Sequence, residues 1–145
     1  MTSEYDSLKL DNQLCFPLYA ASREVVKRYR PYLDELGLTY TQYIAMMVFW
    51  EVGECSVKEL GQRLYLDSGT LTPVLKVLES KGLVRRRRSQ EDERVLLVEL
   101  TDEGAALRER ALTVPEQVGA CIRLDAQDAA ELYRLLYKLL GQIGE

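Results

Sequence analysis

The sequence contains no histidine. That absence removes the imidazole on which Ser-His-Asp and Cys-His hydrolases, HExxH metalloproteases and Cys2His2 zinc fingers depend. Cysteine is scarce as well. Cys15, Cys55 and Cys121 lie far apart with no CxxC pair, so neither a zinc site nor a thioredoxin-like dithiol is encoded. No GxGxxG or Walker A pattern occurs, and no metal or cofactor is expected. No apolar run approaches the roughly 18–20 residues that span a bilayer. The N-terminal stretch MTSEYDSLKLDNQ is polar and acidic, unlike a secretory leader. These absences point to a cytoplasmic protein with no membrane partner. In a reducing compartment three cysteines do not make a disulfide framework, so any cysteine chemistry would be reversible and regulatory.

What is present fits one domain of 145 residues, with 47% hydrophobic and 29% charged residues. The net charge of −4 is unevenly placed. Residues 56–101 carry nine Lys/Arg and seven Asp/Glu, net +2, which leaves the remainder at net −6. The positive charge concentrates at Arg85, Arg86, Arg87 and Arg88, with Arg94 close by. A local basic patch is what phosphate binding requires.

Hydrophobic spacing predicts a first helix over 12–34, with Leu14, Cys15, Leu18, Val25, Val26 and Tyr29 on one stripe. Pro17 calls for a late start or a bend near Cys15, and Pro31 and Gly37 punctuate the exit. Thr39 and Gln42 form a capping box ahead of YIAMMVFWEV, a helix apolar all round and expected to be buried. Ser56 and Glu59 open a short helix in the same way, Asp67 or Ser68 caps a third, and Gly82 stops it. Then the period changes: LVRRRR and RVLLVEL are β-rich runs flanking SQEDE, a hairpin with a charged tip. Thr101 caps a helix of 102–114 interrupted near Pro115, and Asp125 starts the last one.

Helix, short helix, helix, β-hairpin is the order of a winged helix-turn-helix, so the fold class is mainly α with a small β-hairpin. The third helix is polar at its N-terminus, through Ser68, Thr70 and Thr72, with Lys76 further along. That end meets base edges in helix-turn-helix proteins. The hairpin puts Arg94 at the tip, where an arginine enters a narrow minor groove, while Arg86 and Arg88 suit phosphates. The bland alternative is a small helical bundle with a solvated arginine run; the element order favours DNA binding. Cys15 by itself reads as a buried, inert thiol on an apolar stripe. Met46, Met47, Phe49 and Trp50 read as core.

The stretch LYLDSGTLTPVLKVLESKGLVRRRRSQEDERVLLVELT, with its Asp92-x-Arg94 pair, resembles the recognition helix and wing of MarR-family repressors. The stretch LDNQLCFPLYAASREVVKRYRPYLDELGLTYTQY resembles the organic-hydroperoxide-sensing, OhrR-type branch of that family. The resemblance implies a single MarR-like domain over 1–145. Its DNA-binding lobe would span about 56–101, and its helices at about 8–38 and 102–145 would form a homodimer interface. It also implies a redox-active Cys15, with Tyr29 and Tyr40 as the tyrosines that hydrogen-bond it and Asp92 orienting Arg94. In the two-cysteine subclass Cys121 would resolve the oxidised thiol as an intersubunit disulfide. Pro17 departs from the pattern. The implied partners are a pseudo-palindromic double-stranded operator, a second copy of the chain, and an organic hydroperoxide as effector.

Geometry bears on the implied pairing. Fourteen residues of one straight helix separate Cys15 from Tyr29 by about 21 Å, so a bond between them needs two chains. Tyrosine hydroxyls donate to a thiolate without adding charge, and an apolar surround including Leu14, Phe16, Leu18 and Val25 would favour an alkyl or lipid hydroperoxide. Two rival readings remain at this point. One is a MarR-type repressor released by a small aromatic ligand, with Cys15 unreactive. The other is a thiol peroxidase, which the basic hairpin opposes.

Overall fold

The computed structural model describes residues 3–143. Two single-turn 3-10 segments, Asp6–Leu8 and Leu10–Asn12, lead into helix α1, Cys15–Leu36. The chain continues through α2 (Tyr40–Val52), β1 (Glu54–Ser56), α3 (Val57–Leu64), α4 (Ser68–Ser80), β2 (Val84–Arg88) and β3 (Leu96–Leu100). It ends with α5 (Asp102–Ala111), α6 (Val114–Cys121) and α7 (Ala126–Ile143). The three strands form an antiparallel sheet in the order β1-β3-β2. This is the winged helix-turn-helix order, with one strand more than the hairpin expected from sequence. Three residues, Glu54-Cys55-Ser56, are too short to show an alternation; pairing with Leu97–Glu99 makes them a strand.

Helix α1 starts at Cys15, the late start that Pro17 calls for, and ends two residues beyond the 12–34 that the spacing indicates. Pro17 is its third residue, where a helical N–H has no intrahelical acceptor, so the proline removes no bond there. Pro31 lies inside the helix without ending it, on its exposed side. Gly37 ends α1 in the left-handed conformation, at φ 70°. The Thr39–Gln42 capping box forms in full: the Gln42 N–H donates to Thr39 Oγ1 at 3.3 Å and the Thr39 N–H to Gln42 Oε1 at 3.1 Å. At α3 only the serine half forms, with the Glu59 N–H donating to Ser56 Oγ. The helix expected over 102–114 ends at Ala111, and a separate α6 starts at Val114 with Pro115 in its first turn, where a proline is tolerated.

The core lies beneath the winged helix-turn-helix. Met46 and Phe49 from α2, Leu60 from α3, Leu71, Leu75 and Leu78 from α4, and Val84 and Val98 from the sheet are sealed in it. Trp50 ties α2 to α5, its Nε1–H donating to the Gly104 carbonyl at 2.8 Å. Thr101 caps α5 through the Gly104 N–H and donates its own hydroxyl to the Gly82 carbonyl at 2.6 Å. Helix α5 reaches the wing root so closely at Gly104 that a Cβ there would collide with the Leu83 carbonyl oxygen.

The two ends of the chain contrast with this core. Helix α7 buries none of its residues, though Leu132, Leu135 and Leu139 repeat at helical spacing. On the N-terminal side Leu14 is 85% exposed, and Phe16, Leu18 and Tyr19 are exposed beside it. No helix among the described residues is long and apolar enough to cross a membrane.

Gly104→Ala is therefore expected to lower stability by about 1–3 kcal/mol through overpacking. Gly119→Ala, in α6 with nothing within 4 Å of the new methyl, should instead be neutral or gain up to about 1 kcal/mol. Urea midpoints of the two variants measure both.

Candidate nucleic-acid interface and thiol site

Helix α4 presents its N-terminus through a tight turn. Tyr65 closes α3 in the left-handed conformation at φ 57°, and Asp67 caps α4 by accepting the Thr70 N–H at 2.7 Å. That backbone bond holds the Asp67 carboxyl below its ordinary range. Thr72 donates its hydroxyl back to the Ser68 carbonyl at 2.7 Å. Ser68, Thr70, Thr72 and Lys76 are all exposed, as their sequence positions imply. Ser68 and Thr72 line an open groove of about 960 Å³ between α3, α4 and the wing. The groove adds Lys58 and Gln62 of α3, which the sequence reading passes over. Their signal was present: in SVKELGQRLY they stand off the Val57, Leu60, Leu64 stripe.

The arginine run is less free than its composition indicates. Successive side chains on β2 point to opposite faces. On one face Arg85 pairs with Glu99 at 3.1 Å, and Arg87 pairs with Glu54 at 2.7 Å while approaching Glu99 at 3.9 Å. On the other, Arg86 is engaged by Glu79 of α4. Arg86, expected to hold a phosphate, lines the same groove as Ser68 and Arg94, with its guanidinium engaged by that carboxylate. Arg88 is exposed and makes no ion pair among the described residues. Arg94 stands on the hairpin turn with its side chain 90% exposed, its Nε and Nη2 donating to the two oxygens of Asp92 at 3.1 and 3.2 Å. These bonds, with the Arg94 N–H at 3.0 Å, hold the Asp92 carboxyl well ionised and fix the arginine's direction.

The thiol residues divide between three places. Cys15 is the first residue of α1 and is exposed in the protomer. Tyr29 lies in the same helix fourteen residues on, about 21 Å along the axis, so the structure does not bring the two together within one chain. Tyr29 does meet Tyr40, with ring centroids 4.9 Å apart, and Tyr43 lies 5.8 Å from Tyr29. Burial raises the pKa of all three phenols, Tyr40 and Tyr43 also feeling their neighbours, so each stays a protonated donor at neutral pH. Cys121 is exposed at the end of α6, not in a loop, and its Sγ sits 3.6 Å from the Tyr32 hydroxyl. Tyr32 was missed because α6 was not recognised as a helix packing on α1. Cys55 is buried in β1, and burial pushes its thiol pKa up.

No group of three or more potential metal ligands gathers among the described residues. Comparison with known proteins agrees with the architecture. The family model of the SarA/Rot transcriptional regulators matches residues 27–110. The chain is 49% identical over 140 residues to an organic hydroperoxide resistance transcriptional regulator of Bacillus subtilis, covering 97% of this chain and 95% of that one. Among solved structures it resembles AbfR, a protein of Staphylococcus epidermidis. The reduced form bound to DNA superposes with a TM-score of 0.78 at 35% identity, covering 99% of this chain and all of that one. The disulfide-formed AbfR gives 0.65 at 37% identity, covering 94% and 96%.

The three cysteines should separate by reactivity. Iodoacetamide applied to the native protein at neutral pH is expected to label Cys15 and Cys121 and to spare Cys55 until the fold is opened with urea. Peptide mass mapping reads this directly, and native labelling of Cys55 would contradict its burial.

Proposed function

The chain belongs to the MarR family of transcriptional regulators, in its organic-hydroperoxide-sensing branch. From that premise we propose a homodimeric repressor whose reduced form binds a pseudo-palindromic operator and is released when an organic hydroperoxide oxidises Cys15. It is a DNA-binding regulator rather than an enzyme, as its relatives are. One observation carries the redox reading: Cys15 stands unpaired at the head of an intact α1, and the protonated Tyr29 of its second half meets Tyr40 at the start of α2. Two α1 helices laid antiparallel across a dimer axis would bring each thiol to the partner's tyrosines. The uncovered apolar faces of α1 and α7 supply the surface for that pairing.

The chemistry then follows from the thiolate. Tyrosine donors favour S⁻, which attacks the peroxide O–O bond, takes one oxygen as a sulfenic acid, and releases the alcohol. The Cys121 thiol of the partner subunit displaces water from the sulfenic acid to give an intersubunit disulfide. Disulfide bonding needs a sulfur separation of about 2.05 Å, so the helices carrying Cys15 and Cys121 must move. Symmetric movement would take the two α4 helices off half-sites one helical turn apart. Reduction resets the switch. On the DNA side, Ser68, Thr70, Thr72 and Lys76 would enter the major groove, Arg94 the minor groove, and Arg88 a phosphate. The ligand-gated alternative has a candidate seat in an open cleft of about 460 Å³ lined by Leu36, Leu83, Leu107, Lys81 and Arg110. Both cations of that cleft also donate to carbonyls at the end of α1, those of Gly37 and Glu35.

Two measurements test the reading. One equivalent of cumene hydroperoxide should convert the protein to a covalent dimer on a non-reducing gel, and Cys15→Ser and Cys121→Ser should each abolish it. A persistent monomer with added oxygen on Cys15 by intact mass means a one-cysteine sensor; no mass change means a ligand-gated repressor. For DNA, Arg94→Ala should weaken operator binding and reduce the slope of log affinity against log salt by about one unit. An unchanged slope would remove Arg94 from the interface.

A further inference from the structure

Glu79 occupies an unfavourable position. It lies in the last turn of α4, where the carbonyl end of the helix repels a carboxylate, and no basic residue of that turn offsets it. Its charge is met from the wing instead. Arg86 Nε and Nη2 donate to Glu79 Oε1 at 3.2 and 3.0 Å, and the Arg86 backbone N–H donates to Oε2 at 3.0 Å. Both carboxylate oxygens are used, and the Glu79 carboxyl is held below its ordinary range by these bonds. Arg86 is the least exposed partner among the wing arginines, its side chain 24% exposed against 37% for Glu79. Strand β2 is an edge of the sheet, so the wing root has β3 on one side and this carboxylate on the other.

We propose that the Glu79–Arg86 strap is a positioning device for DNA recognition, holding the wing at the angle to α4 that lets both elements reach the duplex together. The proposal rests on the operator-binding reading above. Arg94 stands on the hairpin turn beyond the end of β2, whereas α4 is seated in the core by Leu71, Leu75 and Leu78. A swing at the strap therefore displaces the wing tip relative to a duplex and leaves the Ser68 end of α4 in place. Leu78 and Val84, the buried residues next to the joint in the chain, are apolar and direction-tolerant, whereas three bonds to one carboxylate set a direction. Neither Glu79 nor Arg86 touches the nucleic acid in this arrangement; they act through Arg94.

The test uses the reduced full-length protein and a duplex selected by the wild type from a random pool. Hydroxyl-radical cleavage reads the minor groove, and dimethyl sulfate reads guanine N7 in the major groove. Glu79→Gln should bind about tenfold more weakly, lose the minor-groove protection, and keep the major-groove protection and the melting midpoint. Adding Arg94→Ala to it should cost less than about twofold, since the wing contact is already gone. Arg86→Lys, which keeps the charge and loses the fork, should reproduce the same split and carries the test if Glu79→Gln does not fold. Both protections kept, both lost together, or a fully additive Arg94→Ala penalty overturns the strap. A wild type that protects neither groove retires the operator reading itself, a separate outcome visible before any variant is made.

Discussion

An unbroken α1 from Cys15 to Leu36 governs the arrangement of everything else. A rigid rod with a thiol at its head cannot fold back to bring it to its own Tyr29 or to Tyr40 at the start of α2, whatever its side chains prefer. Pro17 is harmless because it stands where helical N–H groups have no partner, and Pro31 lies on the exposed side of the helix without ending it. The same rod carries the uncovered Leu14, Phe16, Leu18 and Tyr19 on its first half. Its second half sends Leu33 into the core below. One helix thus belongs at once to a surface that needs a second chain and to the lobe that carries α4 and the wing. In the proposed reading, a change at Cys15 would reach the DNA-facing elements through this helix without any separate linker.

Electrostatics in the lobe are local and largely internal. With a net charge of −4 the chain has no global attraction for a polyanion. Three of the four consecutive arginines are matched by Glu54, Glu79 and Glu99, and the pairs hold the sheet and α4 together. In the proposed reading, what is left to face a duplex is a small set: Arg88, Lys58, Lys76 and the Asp92-oriented Arg94. Such a set makes binding depend on where each cation stands more than on how many there are, which is why the direction of Arg94 and the angle of the wing carry weight.

Much of this could be read before any coordinates. The capping signals at Thr39, Ser56, Asp67 and Thr101 are local chemistry, three residues long, and each caps a helix as expected. The Asp92-x-Arg94 pairing is equally local and equally legible. Strand β1 was not, because three residues become a strand only through β3, which lies about forty residues away in the chain. Helix α6 was not, since Pro115 reads as an interruption until it is placed in a first turn. With α6 unrecognised, the approach of Tyr32 to Cys121 stayed hidden. Glu79 left a trace, an acid against the helix dipole asking for a cation, but nothing local says that the cation is Arg86.

The sequence by itself determined the element types, the polar head of the recognition helix, the wing-tip pair and the family, because these rest on residue identity and spacings of two to four, within which backbone geometry is nearly invariant. Only the tertiary structure decided which arginines are free and which are neutralised, that Arg86 pairs with Glu79 of α4, that Tyr29 and Tyr40 share a half-buried site, and that α7 is left without cover. Those are matters of which surfaces meet. They depend on contacts between residues far apart in the chain, where the same local pattern is compatible with many pairings and burial selects among them.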